Sequence, residues 1–186
     1  MSSPAFTLFD TPIGRCGIVW GERGILGVQL PEGDDARAMT RLGRRFPYAS
    51  EDVPPAGIQR AIEQIVVLLS GGPTDLSELA LDMGSVGAFE KQVYAIARKI
   101  PPGETLTYGE IAERLGDKLL ARDVGQAMGK NPFPIVVPCH RVVAAGGKLG
   151  GFSARGGVDT KLKMLAIEGA AVNGQPSLFG GNHDNS

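Results

Sequence analysis

The most reactive group in the sequence is the thiol of Cys139, which stands between Pro138 and His140. A cysteine attacks as its thiolate, and a nearby base or positive charge is needed to form that thiolate at neutral pH. Adjacent residues on a strand point to opposite faces, so His140 helps only if the chain turns sharply or a water joins the two side chains. The dipeptide alone therefore fits either a nucleophile with its base or a buried cysteine beside a surface histidine.

The cysteine count limits the other chemistry. Cys16 and Cys139 are the only cysteines, too few for a disulfide framework or a four-cysteine zinc site. We interpret Cys16, in a strand-like segment, as a buried and inert thiol. No apolar run approaches the roughly 20 residues of a membrane span, and no secretory signal pattern is visible. We therefore expect a reducing, cytoplasmic setting.

Basic residues concentrate between Arg122 and Lys163, although the formal charge of the whole chain is -1. That segment contains seven lysines and arginines against two aspartates, a net charge of +5. A basic face on a near-neutral protein is a modest electrostatic footprint for phosphate. An ordinary solvated surface accounts for the charge equally well.

Residues 1–86 predict a small α/β structural unit. Short alternating segments around turns at 11–14 and 21–24 predict an antiparallel meander. Apolar residues at helical spacing from Ile58 to Leu69 predict a helix that ends before the Gly71–Pro73 break. We interpret this unit as structural, with no chemistry of its own.

Short helices and loops are predicted for residues 87–172. Thr107 followed by Glu110 is a capping-box pattern that opens a helix, and a second helical stretch ends near Gly129. Two short helices joined at a glycine are typical of a helix-turn-helix and of ordinary helix pairs alike. The apolar run Ile135–Val137 predicts a buried strand. Residues 173–186 have the composition of a disordered tail.

The string Asn131–Pro132 followed by Ile135–Val142, with the sequence Pro-Cys-His-Arg inside it, resembles the active-site signature of the O6-alkylguanine-DNA alkyltransferases. These proteins are also called methylated-DNA–protein-cysteine methyltransferases. The resemblance is strong from 87 to 170 and weak in the N-terminal unit, where Asp10–Gly14 carries it. It implies an α+β fold: a ribonuclease-H-like unit with antiparallel strands, then a mainly helical, winged-helix-like domain with the helix-turn-helix. Further matching segments are Thr107–Ala112, Ala121–Arg122, Val124–Gly125, Leu149–Phe152 and Glu168–Gly169.

The implied function is DNA repair by direct reversal of damage. An alkyl group would pass irreversibly from O6-alkylguanine, and from O4-alkylthymine, to Cys139 in a single-turnover reaction. The resemblance implies no cofactor and no metal. We expect a monomer whose partner is double-stranded DNA carrying the lesion, and no membrane partner; whether molecules bind cooperatively stays open.

The resemblance also implies a role for each site residue. Cys139 would attack the alkyl carbon, His140 would act as base through a water, and Glu168 would orient and stabilise the imidazole. Tyr108 would donate its phenolic proton to the departing guanine, and Asn131 would brace the active-site turn.

The lesion has to leave the duplex, because base stacking hides O6 from a protein thiol. An arginine of the recognition helix would fill the vacated place, and other basic residues would contact phosphates. The residues expected to bind DNA are Arg122, Gly125, Ala127, Lys130 and Arg141. The residues expected to form the pocket are Val142, Gly150, Gly151, Phe152 and Ser153.

Three alternatives stay open. An alkyltransferase-like protein would bind alkylated DNA without reacting, but such proteins lack the cysteine. A cysteine hydrolase would need an oxyanion hole, and no helix N-terminus is predicted beside Cys139. A regulator would use the helix-turn-helix alone. Asp117–Leu120, Asp123 and Glu90 depart from the family pattern; Asp123 stands beside Arg122, so we expect Asp123→Ala to strengthen DNA binding.

Overall fold

The computed structural model describes residues 3–149 and 157–170. The predictions for Gly150, Gly151, Phe152, Ser153 and the tail 173–186 lie outside these ranges. The described chain is a mixed α+β protein. Its strands are β1 (Ala5–Thr11), β2 (Gly14–Gly21), β3 (Gly24–Gln29), β4 (Ser50–Glu51), β5 (Leu106–Thr107) and β6 (Val142–Val143). Its α-helices are α1 (Asp35–Arg45), α2 (Ala56–Leu69), α3 (Ala88–Ala97), α4 (Tyr108–Arg114), α5 (Ala121–Gly129) and α6 (Gly157–Ile167).

The predicted antiparallel meander is confirmed. β1 pairs with β2 and β2 with β3, both antiparallel, and the short β4 adds in parallel to β1, so that the strand order is β3-β2-β1-β4. Gly14 and Gly24 begin the second and third strands with φ of 122° and 127°, which L side chains rarely adopt. The two turns therefore depend on glycine at these positions.

Helices cover both faces of this sheet. α2, the helix predicted from Ile58 to Leu69, buries Ile62 and Ile65 in the main core with Ile18. α1 was not predicted, because the segment is polar overall and only Ala38 and Leu42 of its eleven residues are buried. Leu42 packs on the other sheet face, in a small cluster with Phe6 and Val19.

The predicted helix-turn-helix corresponds to α4 and α5. Thr107 caps α4: its Oγ1 accepts a hydrogen bond from the backbone N–H of Glu110 at 3.0 Å, and Oε1 of Glu110 accepts one from the N–H of Thr107 at 3.1 Å. Gly116, with a φ of 100°, ends the helix and leads into a 3-10 turn, Lys118–Leu120. The chain then enters α5 directly.

The strand predicted at Ile135–Val137 is wrong. All three residues are buried, but they form a turn in which Ile135 has a φ of 76°. A continuous apolar run indicates that a segment is buried, but it does not distinguish a strand from a buried turn. After a 3-10 turn at Cys139–Arg141, β6 pairs in parallel with β5.

One cluster of buried residues runs through the described chain, from Ile65 of α2 through Val93 of α3 to Val137 beside the reactive cysteine. Helix α6 closes it with Met164. No helix of the described ranges is long and apolar enough to cross a membrane.

Candidate active site

The sharp turn that the Cys139–His140 pair requires is present. Cys139 opens the 3-10 turn, with its N–H donating to the carbonyl of Val137 at 2.7 Å, and Arg141 N–H donates to the carbonyl of Pro138 at 2.9 Å. Only 6% of Cys139 is exposed. The alternative of a surface histidine is wrong, since His140 is completely buried.

His140 is held by Glu168, which follows α6. Nε2 of His140 lies 2.9 Å from Oε2 of Glu168. An ionised carboxylate only accepts hydrogen bonds, so this contact places the imidazole proton on Nε2 and leaves Nδ1 as the acceptor. Nδ1 is buried, and no hydrogen-bond partner reaches it from residues 3–149 or 157–170. The site therefore contains an oriented imidazole with a free basic nitrogen.

Arg141 binds the same carboxylate from the other side. Its Nε and Nη2 donate to Oε1 and Oε2 of Glu168 at 2.9 and 2.7 Å, and its Nη1 donates to the carbonyl of Ile100 at 2.7 Å. This two-pronged geometry is the strong form of an arginine–carboxylate pair. The side chain is buried and its donors are engaged, so the expectation that Arg141 contacts DNA phosphate is wrong.

The protonation states follow from this packing. Burial raises the pKa of the Cys139 thiol, although a hydrogen bond with Asn131 and the charge of Lys161 oppose the shift. Burial likewise lowers the pKa of His140, although the hydrogen bond and the charge of Glu168 oppose this shift. For Glu168, burial alone would raise the pKa, but hydrogen bonds from Arg141 and His140 outweigh it and lower the pKa to about 2. At neutral pH the resting site is a neutral thiol beside a neutral imidazole and an ionised carboxylate.

Lys161 is a buried cation near the nucleophile that the sequence argument assigned to the basic surface. It is 1% exposed, and its Nζ donates to the carbonyl of Val142 at 2.8 Å. The sequence indicated Leu162, Leu165 and Ala166 as the inward face of α6, but the buried residues are Lys161, Met164 and Leu165, whose helical spacing is the signal that could have identified this lysine. Its charge favours the Cys139 thiolate.

Asn131 lies across the turn that precedes Cys139. Its Nδ2 donates to the carbonyl of Val137 at 2.9 Å, and its Oδ1 accepts the N–H of Phe133 at 2.9 Å. The next carbonyl, that of Pro132, accepts the N–H of Val28 at 2.9 Å and Nη2 of Arg45 at 3.3 Å. The N-terminal sheet and α1 thus hold the turn from outside, which no sequence motif indicated.

A cleft of about 360 Å³ opens beside the nucleophile. Its lining includes Cys139, Met128 and Pro134 together with Arg41 and Arg45 of α1.

Tyr108 is the first residue of α4 and is half-buried. Burial raises its pKa, and the neighbouring Cys139 adds to the effect. Tyr108 therefore keeps its phenolic proton at neutral pH and has a proton to donate near Cys139.

The recognition helix α5 presents some of the predicted DNA-binding residues outward. Arg122, Asp123 and Lys130 are exposed, and a Cβ added at Gly125 would meet no neighbour. Ala127 is wrong as a surface contact: it is 2% exposed, and its carbonyl accepts the hydroxyl of Tyr94 at 2.7 Å. Because Arg141 and Lys161 are also buried, the basic face predicted from the sequence is weaker on the surface than its net charge indicated.

Comparison with known proteins gives consistent matches. The family model described as the DNA binding domain of 6-O-methylguanine DNA methyltransferase matches residues 88–170. A methylated-DNA–protein-cysteine methyltransferase of Methanothermobacter thermautotrophicus is 34% identical over 164 residues, which cover 88% of this chain and 85% of that protein. One from Mycobacterium leprae is 40% identical over 171 residues, covering 91% and 95%.

Solved structures agree with these sequence matches. The Mycobacterium tuberculosis OGT in complex with DNA has a TM-score of 0.70 and 32% identity, over 88% of this chain and 92% of that one. The O6-methylguanine-DNA methyltransferase of Pyrococcus kodakaraensis has a TM-score of 0.68 and 31% identity, over 90% and 99%. The likeness therefore extends over both parts of the chain, beyond the segment that the family model matches.

Proposed function

The chain belongs to the family of methylated-DNA–protein-cysteine methyltransferases, and we propose that it repairs DNA by moving the alkyl group of O6-alkylguanine onto its own Cys139. The observation that supports Cys139 best is its place beside His140, whose Nδ1 is left as an acceptor by the bond from Nε2 to Glu168. A nucleophile, a base and an orienting carboxylate are the parts that activate a weak nucleophile.

Activation of the thiol is the first step that we infer. The proton of Cys139 passes through one water to Nδ1 of His140, which makes a thiolate and an imidazolium. Glu168 stabilises the imidazolium through the 2.9 Å contact to Nε2. Lys161 favours the thiolate by its charge. Burial opposes both charged forms, so the ion pair forms mainly when the substrate is in place.

Displacement follows in one step. Sγ of Cys139 forms a bond to the alkyl carbon while the bond from that carbon to O6 breaks, and the electron pair leaves with the guanine ring. Tyr108 donates a proton to the ring as this charge develops, and the imidazolium proton of His140 replaces it. Normal guanine and a thioether result. A thioether has no easy leaving group for water, so each molecule reacts once.

Access to O6 requires extrusion of the nucleotide, at a cost of a few kcal/mol. We propose that α5 enters the minor groove and that Arg122 takes the vacated place in the stack. Lys130 would contact phosphate, and Gly125 would allow close approach. O4-alkylthymine, which has a similar alkyl ether on its ring, is the second substrate. Val142 and the segment containing Gly150, Gly151, Phe152 and Ser153 would complete the pocket.

The domain organisation belongs to the same proposal. Residues 1–86 form the ribonuclease-H-like unit, residues 87–172 form the winged-helix-like DNA-binding and catalytic domain, and residues 173–186 form a tail. The α4–α5 pair with its capping box supports the second assignment. We place the protein in the cytoplasm, where a free thiol stays reduced.

Mass measurement of the intact protein tests the function directly. After incubation with duplex DNA containing O6-methylguanine, the proposal requires one added methyl group on Cys139, one equivalent per protein and no further turnover. Cys139→Ser is the control and should bind the duplex without gaining mass. Continued turnover would indicate a hydrolase, and binding by the native protein without a mass change would indicate a protein that only senses the lesion.

A further inference from the structure

Leu119 is the most exposed large hydrophobic residue of the described chain, at 88%. It lies in the 3-10 turn Lys118–Leu120, at the tip of the α4–α5 pair. A single exposed leucine needs no explanation on an ordinary surface. The position of this one is informative, because it immediately precedes the helix that carries Arg122.

The tip that carries Leu119 is braced. Asp117 caps the 3-10 turn, since its Oδ1 accepts the N–H of Leu119 at 2.9 Å, and Asp117 N–H in turn donates to the carbonyl of Ala112 in α4 at 3.1 Å. Nζ of Lys118 lies 2.9 Å from Oε1 of Glu113, also in α4. Three contacts therefore hold the backbone that presents the side chain. Leu119 does not fold back onto the protein despite its apolar character.

Leu119 and Arg122 are three positions apart where the 3-10 turn meets α5. Leu120 has a ψ of 0°, and α5 begins at Ala121, which is in right-handed helical conformation. Residues three apart on such a helix are neighbours on its surface. Both side chains are exposed, and this spacing makes an apolar side chain and a guanidinium neighbours at the start of α5.

We propose that Leu119 is an apolar wedge that enters the DNA groove beside Arg122 and favours extrusion of the damaged nucleotide. This inference rests on the proposed function. Proteins that enter the minor groove often insert leucine or a similar side chain between base steps, which lowers the cost of the distortion that they need. Extrusion exposes apolar base faces and sugar edges next to the gap. A fixed leucine covers that surface, and a guanidinium can stack over it.

The test compares two substrates that share the chemistry and differ in the extrusion step. Leu119→Ala is measured against native protein for methyl transfer from duplex O6-methylguanine and from the free base O6-methylguanine. Val53→Ala is the matched control, because Val53 is 81% exposed on the N-terminal unit. We expect Leu119→Ala to react about fivefold to twentyfold more slowly with the duplex, as loss of a groove wedge predicts. Its reaction with the free base and its melting temperature should stay unchanged, and Val53→Ala should match the native protein throughout.

Three results would overturn the wedge. Equal duplex rates for Leu119→Ala and native protein would do so, and so would an equal loss with the free base, which would point to damage at Cys139. The third is a native dimer that Leu119→Ala dissociates in sedimentation velocity without DNA, because Leu119 would then cover a second copy. If the native protein takes up no methyl group from either substrate, the proposed function itself is contradicted. If the native protein reacts with both substrates, the comparison with Leu119→Ala tests the wedge alone.

Discussion

Nε2 of His140 lies 2.9 Å from Oε2 of Glu168, and the two side chains are 1% and 3% exposed. The same oxygen is 2.7 Å from Nη2 of Arg141. One buried carboxylate is therefore shared between a permanently charged guanidinium and an imidazole whose pKa is lowered by burial. Arg141 keeps Glu168 ionised, and Glu168 can then stabilise the imidazolium without taking its proton.

Glu168→Gln should lower stability and remove part of its acid sensitivity. Breaking a buried pair leaves Arg141 uncompensated, which costs about 3–5 kcal/mol. The pKa of Glu168 is lowered from 4.5 to about 2 in the folded state. Its stabilising contribution is therefore complete above pH 4.5 and is lost as the pH falls toward 2. Urea unfolding between pH 7 and 2 should show a flatter profile for Glu168→Gln; Glu63→Gln, an exposed change on α2, should keep the native slope.

The rate of methyl transfer should have a broad plateau in pH. The reactive ion pair contains the same number of protons as the resting thiol and imidazole, so its amount is constant between their two pKa values. Burial lowers the pKa of His140 below 6.5 and raises that of Cys139 above 9.0. Single-turnover rates should stay flat from pH 7 to 9 and decline only below the ordinary histidine range. A rate that rises tenfold per pH unit up to 9 would contradict a base that takes the thiol proton through a water.

Tyr108→Phe should slow transfer about a hundredfold, which is within the usual contribution of a general acid. Tyr94→Phe is the matched control, because its hydroxyl donates to the carbonyl of Ala127 at 2.7 Å inside the core. Losing that bond should cost about 1–3 kcal/mol of stability and leave chemistry intact. Paired measurements should show a slower rate for Tyr108→Phe and a lower melting temperature for Tyr94→Phe. A loss of rate in both variants would argue against a proton donor at Tyr108.

Asp123→Ala should strengthen binding to duplex DNA. Asp123 is exposed beside Arg122 and shares a small surface cavity with Glu90 and Lys130. Removing its charge takes away repulsion from phosphates, worth about twofold to fivefold in affinity at moderate salt and less at high salt, where charges are screened. Fluorescence anisotropy at matched salt checks this, with Glu63→Gln as a distant control. Unchanged or weaker affinity would sink the idea.

Patterns that depend on burial and turns were predictable from sequence. Helix α2 and the meander follow from apolar spacing and turn residues, and the capping box marks the start of α4. The inward placement of charge was not predictable in the same way. Arg141 follows His140 and looked like a phosphate contact, but its partners are Glu168, 27 positions along the chain, and the carbonyl of Ile100. The composition of a segment gives its net charge, but it does not show which of the charged side chains are buried.

The methylated protein should be less stable than the unmodified one. Cys139 is 6% exposed and packed within the main core, so an added group on sulfur overfills its surroundings. Overpacking of this kind costs about 1–3 kcal/mol, or several degrees in melting temperature for a domain of this size. Calorimetry before and after reaction measures the difference. Equal melting temperatures would show that the site accommodates the group without opening.

The carbonyl of Pro132, which accepts the N–H of Val28 and the guanidinium of Arg45, joins the reactive segment to a part of the chain that has no chemistry of its own. We therefore expect the region that the family model matches to lose stability when it is separated from residues 1–86. A fragment that begins at residue 87 would keep Cys139, His140 and Glu168. It would lose the two hydrogen bonds to the Pro132 carbonyl that hold the loop before Cys139. It would also remove Ile65 of α2 from the buried cluster to which Val93 of α3 belongs. Val28 and Arg45, both from the N-terminal part of the chain, thus help to fix the loop that leads to Cys139.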